Sequence, residues 1–546
     1  MKNALKIIAV FFVLLISGCS PDKEEEEVDP TPNILFVISD DQSYFHTSFA
    51  GSKFVNTPAF DRVAREGVYF TNCIAGSPGC APSRSSIITG RHHWQNEQSG
   101  QHAAPWLKKH VPFVDMLDKN GYVTGRTGKG VSPFRYARDE NDSLWRETDA
   151  AGIAHSNIRY EVGTTGDVRP ASGISPVNYF ENFKFFMDSV RGEAEDPFFF
   201  WYGASEPHRA FEQDSWKRTD KKLSDVEVPG FLPDHDIVRG DLLDYAVEIE
   251  WFDQHLHYML EYLEETGELE NTIVIVTSDN GMAFPRAKAN GYEYGIHVPF
   301  AVMYPKSFPQ GRIVNDLINF IDLAPTILDL TNTSDEGMLP ITGKSFRHLL
   351  ETNEQGTVDP IRKYAFSGRE RHSASRHQNW GYPQRAIRNQ EHLLIWNMKP
   401  DRWPAGAPQR IDPENENELH PLYGIDENGE HQSDWAFTDV DAAPTKSYLV
   451  ENRDDEAVRP FFEAAFEKIP EVLLYDVNAD PDCMNNLADD PEYAQIKEEM
   501  RQALINELKE TEDPRVVGPD PEVFDSYLRY SPMREFPKPE EGGRLK

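Results

Sequence analysis

The sequence predicts an α/β fold, in which a central sheet of buried strands is flanked by helices. Two continuous apolar runs of strand length, 33–38 and 272–277, are typical of strands covered on both faces. Two further runs, 197–202 and 300–304, have the same character. Because segments of helical periodicity lie between these runs, strands and helices alternate along the chain, as they do in α/β proteins.

Two helices are predicted with some detail. Pro58 lies at the first position of one helix, after a capping threonine, Thr57, and this helix runs to about Gly67. The second covers residues 242–266, where apolar side chains recur every three or four positions. That spacing produces one apolar face, so we expect this helix to pack on the sheet.

The chain divides into a larger and a smaller part. At 546 residues it exceeds the usual size of a single hydrophobic core. After about residue 360 the composition changes to one rich in Arg, Asn, Asp and Pro, with short strand candidates at 392–396 and 473–476 and an amphipathic segment at 491–511. We therefore expect a main domain over residues 33–360 and a smaller α+β C-terminal region over residues 361–546.

The N-terminal segment is predicted to be a targeting signal. Two lysines precede an apolar run, residues 7–16, that is too short to span a membrane. The run ends in Ser17 and Gly18 before Cys19, which resembles the lipobox of bacterial lipoproteins. This resemblance implies a signal peptide over residues 1–18 and acylation of Cys19, whose two or three acyl chains would anchor the protein in a membrane. An ordinary signal peptide is the alternative.

Residues 19–32 are predicted to form an acidic tether. Four consecutive glutamates and several prolines leave it almost without apolar side chains, so self-repulsion keeps it extended. An acidic run after a lipidated cysteine resembles the surface-export signals of Bacteroidetes lipoproteins. We therefore expect a cell-envelope lipoprotein of the outer membrane that is exposed at the cell surface, with a plain solvated linker as the alternative.

The net charge excludes one class of partner. Lys and Arg total 55 against 91 Asp and Glu, which is a formal charge of −36. Nucleic acid is excluded because phosphate backbones require clustered basic side chains, whereas a small anionic substrate remains compatible with a local basic pocket. We expect Cys73 and Cys483 to be buried free thiols, and a disulfide between them is the alternative.

Acidic and amide side chains follow two of the predicted strands. Asp40 and Asp41 come directly after the first run, and Asp279 and Asn280 come after the run at 272–277. Functional groups in open α/β sheets gather at the carboxyl ends of strands, and oxygen ligands of this kind suit Ca²⁺ or Mg²⁺. The sequence therefore predicts a divalent-cation site, with helix capping as the alternative role for these residues.

A short motif carries the strongest functional signal. Residues 80–84 read Cys-Ala-Pro-Ser-Arg, and residues 89–91 read Thr-Gly-Arg. This pattern resembles the signature of the sulfatase family, in which a maturation enzyme oxidises the cysteine to formylglycine. Further segments resemble family motifs in the same chain order: Gly128-Lys129, Pro207-His208, Ser278-Asp279-Asn280-Gly281, Lys288 and Asn486-Leu487-Ala488. The resemblance implies an alkaline-phosphatase/sulfatase-like mixed central sheet flanked by helices.

The same resemblance implies that Cys80, as formylglycine, is the nucleophile. Its hydrate is a geminal diol: one hydroxyl attacks sulfur, and the other lets the sulfated enzyme collapse to the aldehyde and expel sulfate. An unmodified cysteine has no such route. Formylglycine would also ligate a cation, which we expect to be Ca²⁺ with Mg²⁺ as the alternative, together with Asp40, Asp41, Asp279 and Asn280.

Charged residues of the motifs receive roles from the resemblance as well. Arg84, Lys129 and Lys288 are expected to neutralise the sulfate oxygens and the nucleophile. His208 is expected to protonate the leaving group, although a lone Pro-His pair is more often structural. These four residues, with Cys80, are the predicted catalytic set.

One position departs from the family pattern. Val131 stands two residues after Lys129, where a histidine that helps the intermediate to collapse is usual. Another histidine is expected to replace it, and His93 and His102 are the candidates, both also predicted to contact substrate. Slow turnover of the intermediate is the alternative.

Several features resemble the heparan N-sulfatase (sulfamidase) branch of the family. These are Gln95-Asn96 with His102, Pro207-His208-Arg209 and Phe284-Pro285, and Arg209 is accordingly a predicted substrate contact. Marine bacterial sulfatases that act on ulvan resemble the same branch. The lipoprotein signal and the acidic composition favour scavenging of an algal polysaccharide.

We therefore predict a sulfatase that removes O-sulfate from a sulfated polysaccharide or its oligosaccharides, such as those of ulvan. N-desulfation of glucosamine residues is one alternative. Another is hydrolysis of phosphodiesters or phosphonates, because enzymes of the same superfamily carry the same cysteine motif. The last alternative is a glycan-binding lipoprotein without catalysis, if Cys80 is never oxidised.

Overall fold

The structure, a computed structural model, describes residues 31–136, 146–164, 166–191 and 196–539. The predicted signal peptide, the lipidated Cys19 and almost all of the acidic tether lie outside these ranges. The strands of the described residues are β1 (Asn33–Ser39), β2 (Val68–Ile74), β3 (Ala104–Pro105), β4 (Val123–Gly128), β5 (Phe134–Arg135), β6 (Phe198–Gly203), β7 (Thr272–Ser278), β8 (His297–Met303), β9 (Arg312–Val314), β10 (Ile318–Asn319), β11 (Ala365–Arg369), β12 (Gln384–Arg388), β13 (His392–Asn397) and β14 (Val472–Asp476).

Helices separate most of these strands. Those of the described residues are α1 (Pro58–Glu66), α2 (Cys80–Thr89), α3 (Phe113–Lys119), α4 (Tyr179–Phe185), α5 (Asp236–Glu265), α6 (Glu293–Ile296), α7 (Leu323–Leu330), α8 (Arg347–Glu351), α9 (Pro444–Glu451), α10 (Arg459–Phe466), α11 (Ala494–Glu510), α12 (Pro514–Val517) and α13 (Val523–Ser526). In the described part of the chain, none of them combines the length and the apolar character that crossing a membrane requires.

The central sheet is mixed, as the family resemblance implies. Its strand order is β10-β2-β8-β7-β1-β6-β4, and β9 pairs with β2 beside this path. Strand β1 runs parallel to both of its neighbours, β6 and β7, whereas β8 is antiparallel to β7 and to β2. Because β1 and β7 are adjacent and parallel, the residues that follow them emerge at the same edge of the sheet.

Strand β1 is covered on both faces, which explains its continuous apolar sequence. Ile34, Phe36 and Ile38 belong to the apolar cluster on one side of the sheet. Leu35 and Val37 belong to the cluster on the other side, which includes apolar residues of α1, α4 and α5. Fully burying each such side chain contributes about 1.5–3 kcal/mol, so this central strand is a rigid support for the residues at its end.

The start of α1 differs from its prediction in one respect. Pro58 is the first helical residue, but the Thr57 side chain does not cap the helix. The carboxylate of Asp253 on α5 accepts hydrogen bonds from the backbone N–H groups of Ala59 and Phe60, both at 2.8 Å. The cap therefore comes from a residue almost two hundred positions away, which no local pattern indicates.

Helix α5 begins earlier than the apolar periodicity suggests. Its first residue is Asp236, because the His235 ring accepts a hydrogen bond from the N–H of Ile237 and caps the helix there. The periodic part, residues 242–266, is the portion that packs against the sheet and its neighbours.

A second, smaller sheet follows the predicted boundary at residue 360. Strands β11 to β14 pair in sequence order and are all antiparallel. Helix α11 covers one face through Met500, Leu504 and Leu508. From Pro32 onward the chain is one compact unit, so the small sheet belongs to the same body as the large one.

Candidate active site

Two strand ends bring the acidic residues together. Ser39 at the end of β1 pairs with Ser278 at the end of β7, so the next residues of both strands lie side by side. Carboxylate oxygens of Asp40, Asp41 and Asp279 lie within 4.8 Å of one another, and all three side chains are buried. The sequence predicts this convergence because parallel neighbours end at the same edge of a sheet.

The backbone turns sharply at Asp41. Its φ of 74° lies in the left-handed region, which Asp enters more readily than most residues. The Asp41 N–H donates to Oδ1 of Asp279 at 3.1 Å, and the hydroxyl of Tyr245 donates to the Asp41 carbonyl at 3.2 Å. These bonds hold the turn and thereby the direction of both Asp side chains.

This cluster has the properties of a site for a hard divalent cation. Within the described part of the chain, no group donates a hydrogen bond to Oδ1 of Asp40 or to Oδ1 of Asn280, although both atoms are buried. Burial raises the pKa of Asp279, and the neighbouring charge of Asp40 raises it further. A cation would satisfy the unpaired oxygens and offset this repulsion, and carboxylate and amide oxygens are the ligands that Ca²⁺ and Mg²⁺ prefer.

Two lysines flank the carboxylates. Nζ of Lys129, directly after β4, lies 2.5 Å from Oδ2 of Asp40. Nζ of Lys288 lies 2.6 Å from Oδ2 of Asp41 and 3.3 Å from Oδ2 of Asp441. Burial lowers the pKa of Lys288, but the charges of Asp41 and Asp441 outweigh it and hold the pKa well above its usual value. The ion pairs with Asp41 and Asp441 therefore favour the charged form of Lys288.

Cys80 lies among these charges. It is the first residue of α2, and its side chain is buried. Burial raises the pKa of the Cys80 thiol; the positive charges of Lys129 and Lys288 act against this, and Asp40 and Asp279 add to it. The residue that the sequence predicts as nucleophile thus lies within electrostatic reach of both lysines and of the Asp40 and Asp279 carboxylates.

Arg84 lies one helical turn after Cys80, on the same face of α2. Its Nε donates to Oδ2 of Asp279 at 2.7 Å, and Nη1 donates to the carbonyls of Lys129 and Gly130 at 3.1 and 3.0 Å. The side chain is fully buried. In the structure Arg84 positions Asp279 and the Lys129 segment, and the predicted direct contact with sulfate stays a prediction.

His208 is the most open of the predicted catalytic residues. Nε2 lies 3.9 Å from Oδ2 of Asp41, and the side chain is 37% exposed. Nδ1 lies 2.5 Å from the carbonyl of Arg209, a contact that orients the ring. The free edge of the imidazole therefore points toward the cluster from its solvent side, as a proton donor to a leaving group requires.

Arg209 is held by the protein itself. Nη1 and Nη2 each donate to Asp241 at 2.7 Å, and Nε donates to the Ala283 carbonyl at 2.7 Å. The guanidinium also lies between the rings of Phe211 and Phe284, with 4.3 and 4.4 Å to their centroids. These contacts tie the His208 loop to α5, and the predicted role of Arg209 as a substrate contact remains untested.

The two candidate replacement histidines occupy different surroundings. His93 is buried beside Trp94 and Gly368, at the small sheet. The pKa of His102 is held well below its usual value by burial and by the charges of His372, Arg529, Lys288 and Lys129. His102 is therefore the candidate that lies near the lysines, whereas Val131 is buried in the apolar cluster with Trp106.

Two residues near the site are missed by the sequence reasoning. Asp441 lies in a loop before α9 and joins the Lys288 ion pair. His372 follows the end of β11, and its Nδ1 lies 3.2 Å from where a Cβ on Gly79 would stand, directly before Cys80. The strand-end position of His372 is a signal that could have found it, but nothing local marks Asp441.

In the described residues, Cys73, Cys80 and Cys483 are all buried and none is in a disulfide bond. Cys73 lies on β2 and Cys483 lies in the loop after β14, and burial raises the pKa of both thiols. Burial alone does not separate these thiols from Cys80, whose pKa is also raised; what distinguishes Cys80 is that Lys129 and Lys288 act on it.

The mixed sheet and its cluster of carboxylates and lysines suit a hydrolase of anionic esters. A family model described as Sulfatase matches residues 32–333, more than half of the chain. The chain therefore belongs to the sulfatase family, whose members hydrolyse sulfate esters. A second model, described as N-sulphoglucosamine sulphohydrolase, C-terminal, matches residues 287–432.

Individual relatives cover most of the chain. Human N-sulphoglucosamine sulphohydrolase is 27% identical over 89% of this chain and 92% of its own length. An ulvan-active sulfatase of Formosa agariphila is 24% identical over 92% of this chain and 80% of its own length. A protein solved with its substrate D-glucosamine-2-N,6-O-disulfate has a TM-score of 0.59 at 21% identity, covering 90% of this chain and 100% of the other.

A phosphonate monoester hydrolase from Silicibacter pomeroyi has a TM-score of 0.60 at 16% identity, and covers 88% of this chain and 96% of its own. At such identities these likenesses concern the fold alone. They confirm the predicted sulfatase-like architecture, a mixed sheet with helices on both sides and a small antiparallel sheet after it.

Proposed function

We propose that this sulfatase removes O-linked sulfate from a sulfated polysaccharide or its oligosaccharides, of an algal type such as ulvan, with formylglycine at position 80 as nucleophile. The observation that carries the proposal is the proximity of Cys80 to Lys129, Lys288 and a cluster of three carboxylates. The choice of a sulfated polysaccharide is supported by relatives that are named ulvan-active sulfatases.

The side chains after β1 and β7 would hold the divalent cation. These are Asp40, Asp41, Asp279 and Asn280, and the ion that we expect is Ca²⁺, with Mg²⁺ as the alternative. When bound, the cation supplies polarisation of a sulfate oxygen and lowers the pKa of a coordinated hydroxyl. Arg84 keeps Asp279 in place for this purpose through its 2.7 Å bond.

The lysines stabilise negative charge. Nζ of Lys129 and Nζ of Lys288 are fixed by Asp40 and Asp41, so neither needs to reorganise when charge develops on a sulfate oxygen. Donors fixed in this way typically contribute about 2.7–4 kcal/mol each to the transition state. Formylglycine supplies the hydroxyl that attacks sulfur.

His208 would protonate the departing sugar oxygen. It is the site residue with an exposed edge, and its Nδ1 is fixed by the Arg209 carbonyl. A donor at the open side of the cluster meets the leaving group rather than the sulfate, which lies against the lysines. His208→Gln is therefore expected to slow substrates with poor leaving groups more than activated aryl sulfates.

A second candidate function is N-desulfation of glucosamine residues. It is favoured by the match of residues 287–432 to the C-terminal model of N-sulphoglucosamine sulphohydrolase and by the human relative. The two functions share the catalytic residues and differ only in the atom that carries the sulfate.

One experiment separates all candidates. Protein made together with a formylglycine-generating enzyme is analysed by mass spectrometry of the Cys80 peptide. The same sample is assayed for sulfate release from ulvan oligosaccharides and N-sulfoglucosamine, and for cleavage of an aryl phosphodiester and an aryl phosphonate. Release from ulvan fragments supports the proposal, and release from N-sulfoglucosamine alone supports N-desulfation. Cleavage of the phosphodiester or phosphonate that is faster than sulfate release would assign a phosphohydrolase. An unmodified Cys80 in protein purified from the native host, together with no turnover of any substrate, would leave a glycan-binding protein.

We also propose that the protein is an outer-membrane lipoprotein that is anchored through Cys19 and displayed at the cell surface. The lysines and apolar run before Cys19 and the acidic tether after it support this proposal. Labelling of cells with a palmitate analogue, compared between the wild type and Cys19→Ala, tests the anchor. Protease digestion of intact cells tests surface display, and protection in intact but not in lysed cells would contradict it.

A further inference from the structure

A segment near the end of the described chain lies beside the candidate active site. Directly after α13, residues 527–531 form a strap that is fixed at both ends of this short stretch. Nη1 and Nη2 of Arg371 donate to the carbonyls of Tyr527 and Leu528 at 2.7 and 3.2 Å. The N–H of Tyr530 donates to the carbonyl of Ala103 at 3.2 Å. The strap thus bridges the small sheet and the segment that carries His102.

The strap places Arg529 close to the residues around Cys80. Nη1 of Arg529 donates to the carbonyl of His372 at 3.1 Å, and Nε lies 2.5 Å from Oγ of Ser531. The ring of His372 abuts Gly79, directly before Cys80. Arg529 therefore contacts His372, and His372 in turn contacts the residue before Cys80.

The surroundings of Arg529 are those of an anion-binding side chain. Among the residues that the structure describes, Arg529 forms no ion pair and its Nη2 donates to no protein group, although the side chain is partly buried. The ring centroid of His102 lies 5.2 Å from that of His372. The charges of Arg529, Lys288 and Lys129 contribute to lowering the pKa of His102. Three positive charges therefore act on His102 in a protein with a formal charge of −36, and the acidic Asp439 also lies within electrostatic reach of Arg529.

We infer that Arg529 binds a second anionic group of the substrate, a carboxylate or a further sulfate on the saccharide, while Cys80 acts on the first. This inference rests on the proposed function. The reacting sulfate is served by Lys129, Lys288 and the cation cluster, and His372 and His102 lie between that cluster and Arg529. The planar guanidinium with an unused terminal nitrogen matches a carboxylate or sulfate group, for which arginine is the preferred partner.

The competing explanation is that Arg529 only fastens the strap. Its bond to His372 would then be its whole function, and its loss would affect every substrate alike. The matched control is Arg534, which lies on the same C-terminal segment and forms a surface ion pair with Asp434 at 2.8 Å. Arg534→Gln removes an equal charge without touching the strap or the histidines.

The test compares kcat/KM of the wild type, Arg529→Gln, Arg529→Lys and Arg534→Gln on three sulfate esters. These are an aryl sulfate, a monosulfated saccharide without another anion, and saccharides that carry either a uronate or a second sulfate. For Arg529→Gln we expect kcat/KM to fall about 10- to 100-fold on a doubly anionic saccharide, mainly through KM. For Arg529→Lys, kcat/KM on the doubly anionic saccharide should fall less. On the other two substrates kcat/KM of Arg529→Gln should not change, and Arg534→Gln should match the wild type on every substrate.

The saccharide with a uronate and the one with two sulfates show which anion Arg529 recognises. An equal loss on all substrates, or no loss on any, would overturn the role of Arg529 while leaving the proposed function standing. A wild type that cleaves the aryl sulfate but no saccharide would overturn the proposed function, and the role of Arg529 with it. Melting temperatures of all four proteins confirm that folded enzymes are compared, and Arg529→Lys carries the test if Arg529→Gln unfolds.

Discussion

Replacing Arg209 with methionine tests whether this side chain supports the structure or contacts substrate. The change removes two bonds of 2.7 Å to Asp241 and one to the Ala283 carbonyl. Asp241 would keep the hydroxyl of Thr445 at 2.6 Å as its main donor. Because the Asp241 side chain is only 1% exposed, its negative charge would remain buried without a cation.

The expected loss follows from this geometry. Removing one partner of a buried ion pair costs about 3–5 kcal/mol. With an unfolding entropy of about 2.1 cal/mol/K per residue, the roughly 500 residues from Pro32 onward make about 1 kcal/mol correspond to one degree. Arg209→Met should therefore lower the melting temperature by about 3–5 °C. The double variant Arg209→Met/Asp241→Asn should recover part of this loss, since it leaves no unpaired buried charge.

Differential scanning fluorimetry at neutral pH measures the melting temperatures, and sulfate release gives kcat and KM for the folded fraction. We expect KM to stay unchanged, because all three guanidinium nitrogens of Arg209 already donate to protein groups and both Phe211 and Phe284 stack against the guanidinium. An unchanged melting temperature together with a rise in KM of about tenfold or more would refute this reasoning and make Arg209 the substrate contact that the sequence predicts.

Three further predictions concern the cation, the lysines and acid stability. Removing divalent cations with a chelator should abolish sulfate release and lower the melting temperature, because Asp40 and Asp279 then repel each other without compensation. Added Ca²⁺ should restore both the activity and the melting temperature. If the chelator changes neither, the cation site is contradicted. Lys288→Ala should reduce kcat by about 10²–10³-fold, whereas Lys53→Ala, at an exposed surface ion pair, should leave kcat unchanged; equal kcat values would remove Lys288 from catalysis. His110 is buried with neither ring nitrogen hydrogen-bonded in the described residues, and burial lowers its pKa to about 3. The unfolded chain therefore binds the proton first as the pH falls below about 6.5, and His110 should cost the folded state about 2 kcal/mol at pH 5 relative to pH 7. Urea titrations give the free energy of unfolding at pH 5 and at pH 7. The difference between these two free energies should be smaller for His110→Leu than for the wild type, and an equal difference would refute the assignment.

Much of the central architecture could be predicted from local patterns. The apolar runs at β1 and β7 are continuous because both faces of those strands are covered, and this is visible in the residues themselves. The acidic residues after them meet because neighbouring parallel strands end together. The start of α1 at Pro58 was also predictable, since proline at a first helical position is a local preference.

The source of a contact was not predictable where it comes from far along the chain. Asp253 caps α1 across nearly two hundred residues, although Thr57 is the local candidate. Arg84 was expected to neutralise sulfate oxygens. In the structure its guanidinium donates hydrogen bonds to Asp279 and to two backbone carbonyls. In both cases the residue type indicated a polar role, and only packing determined the partner.

The sequence by itself determined the sheet strands, the strand-end carboxylates, the cysteine motif and the family, because each depends on residues that are adjacent in the chain or repeat at a short period. The tertiary structure alone decided that His372, Asp441 and Arg529 lie near Cys80, the proposed nucleophile. These residues come from the C-terminal part, nearly three hundred to more than four hundred positions away. Their neighbourhood is set by how the small sheet and the strap pack on the large sheet, and a property of packing leaves no mark on local sequence.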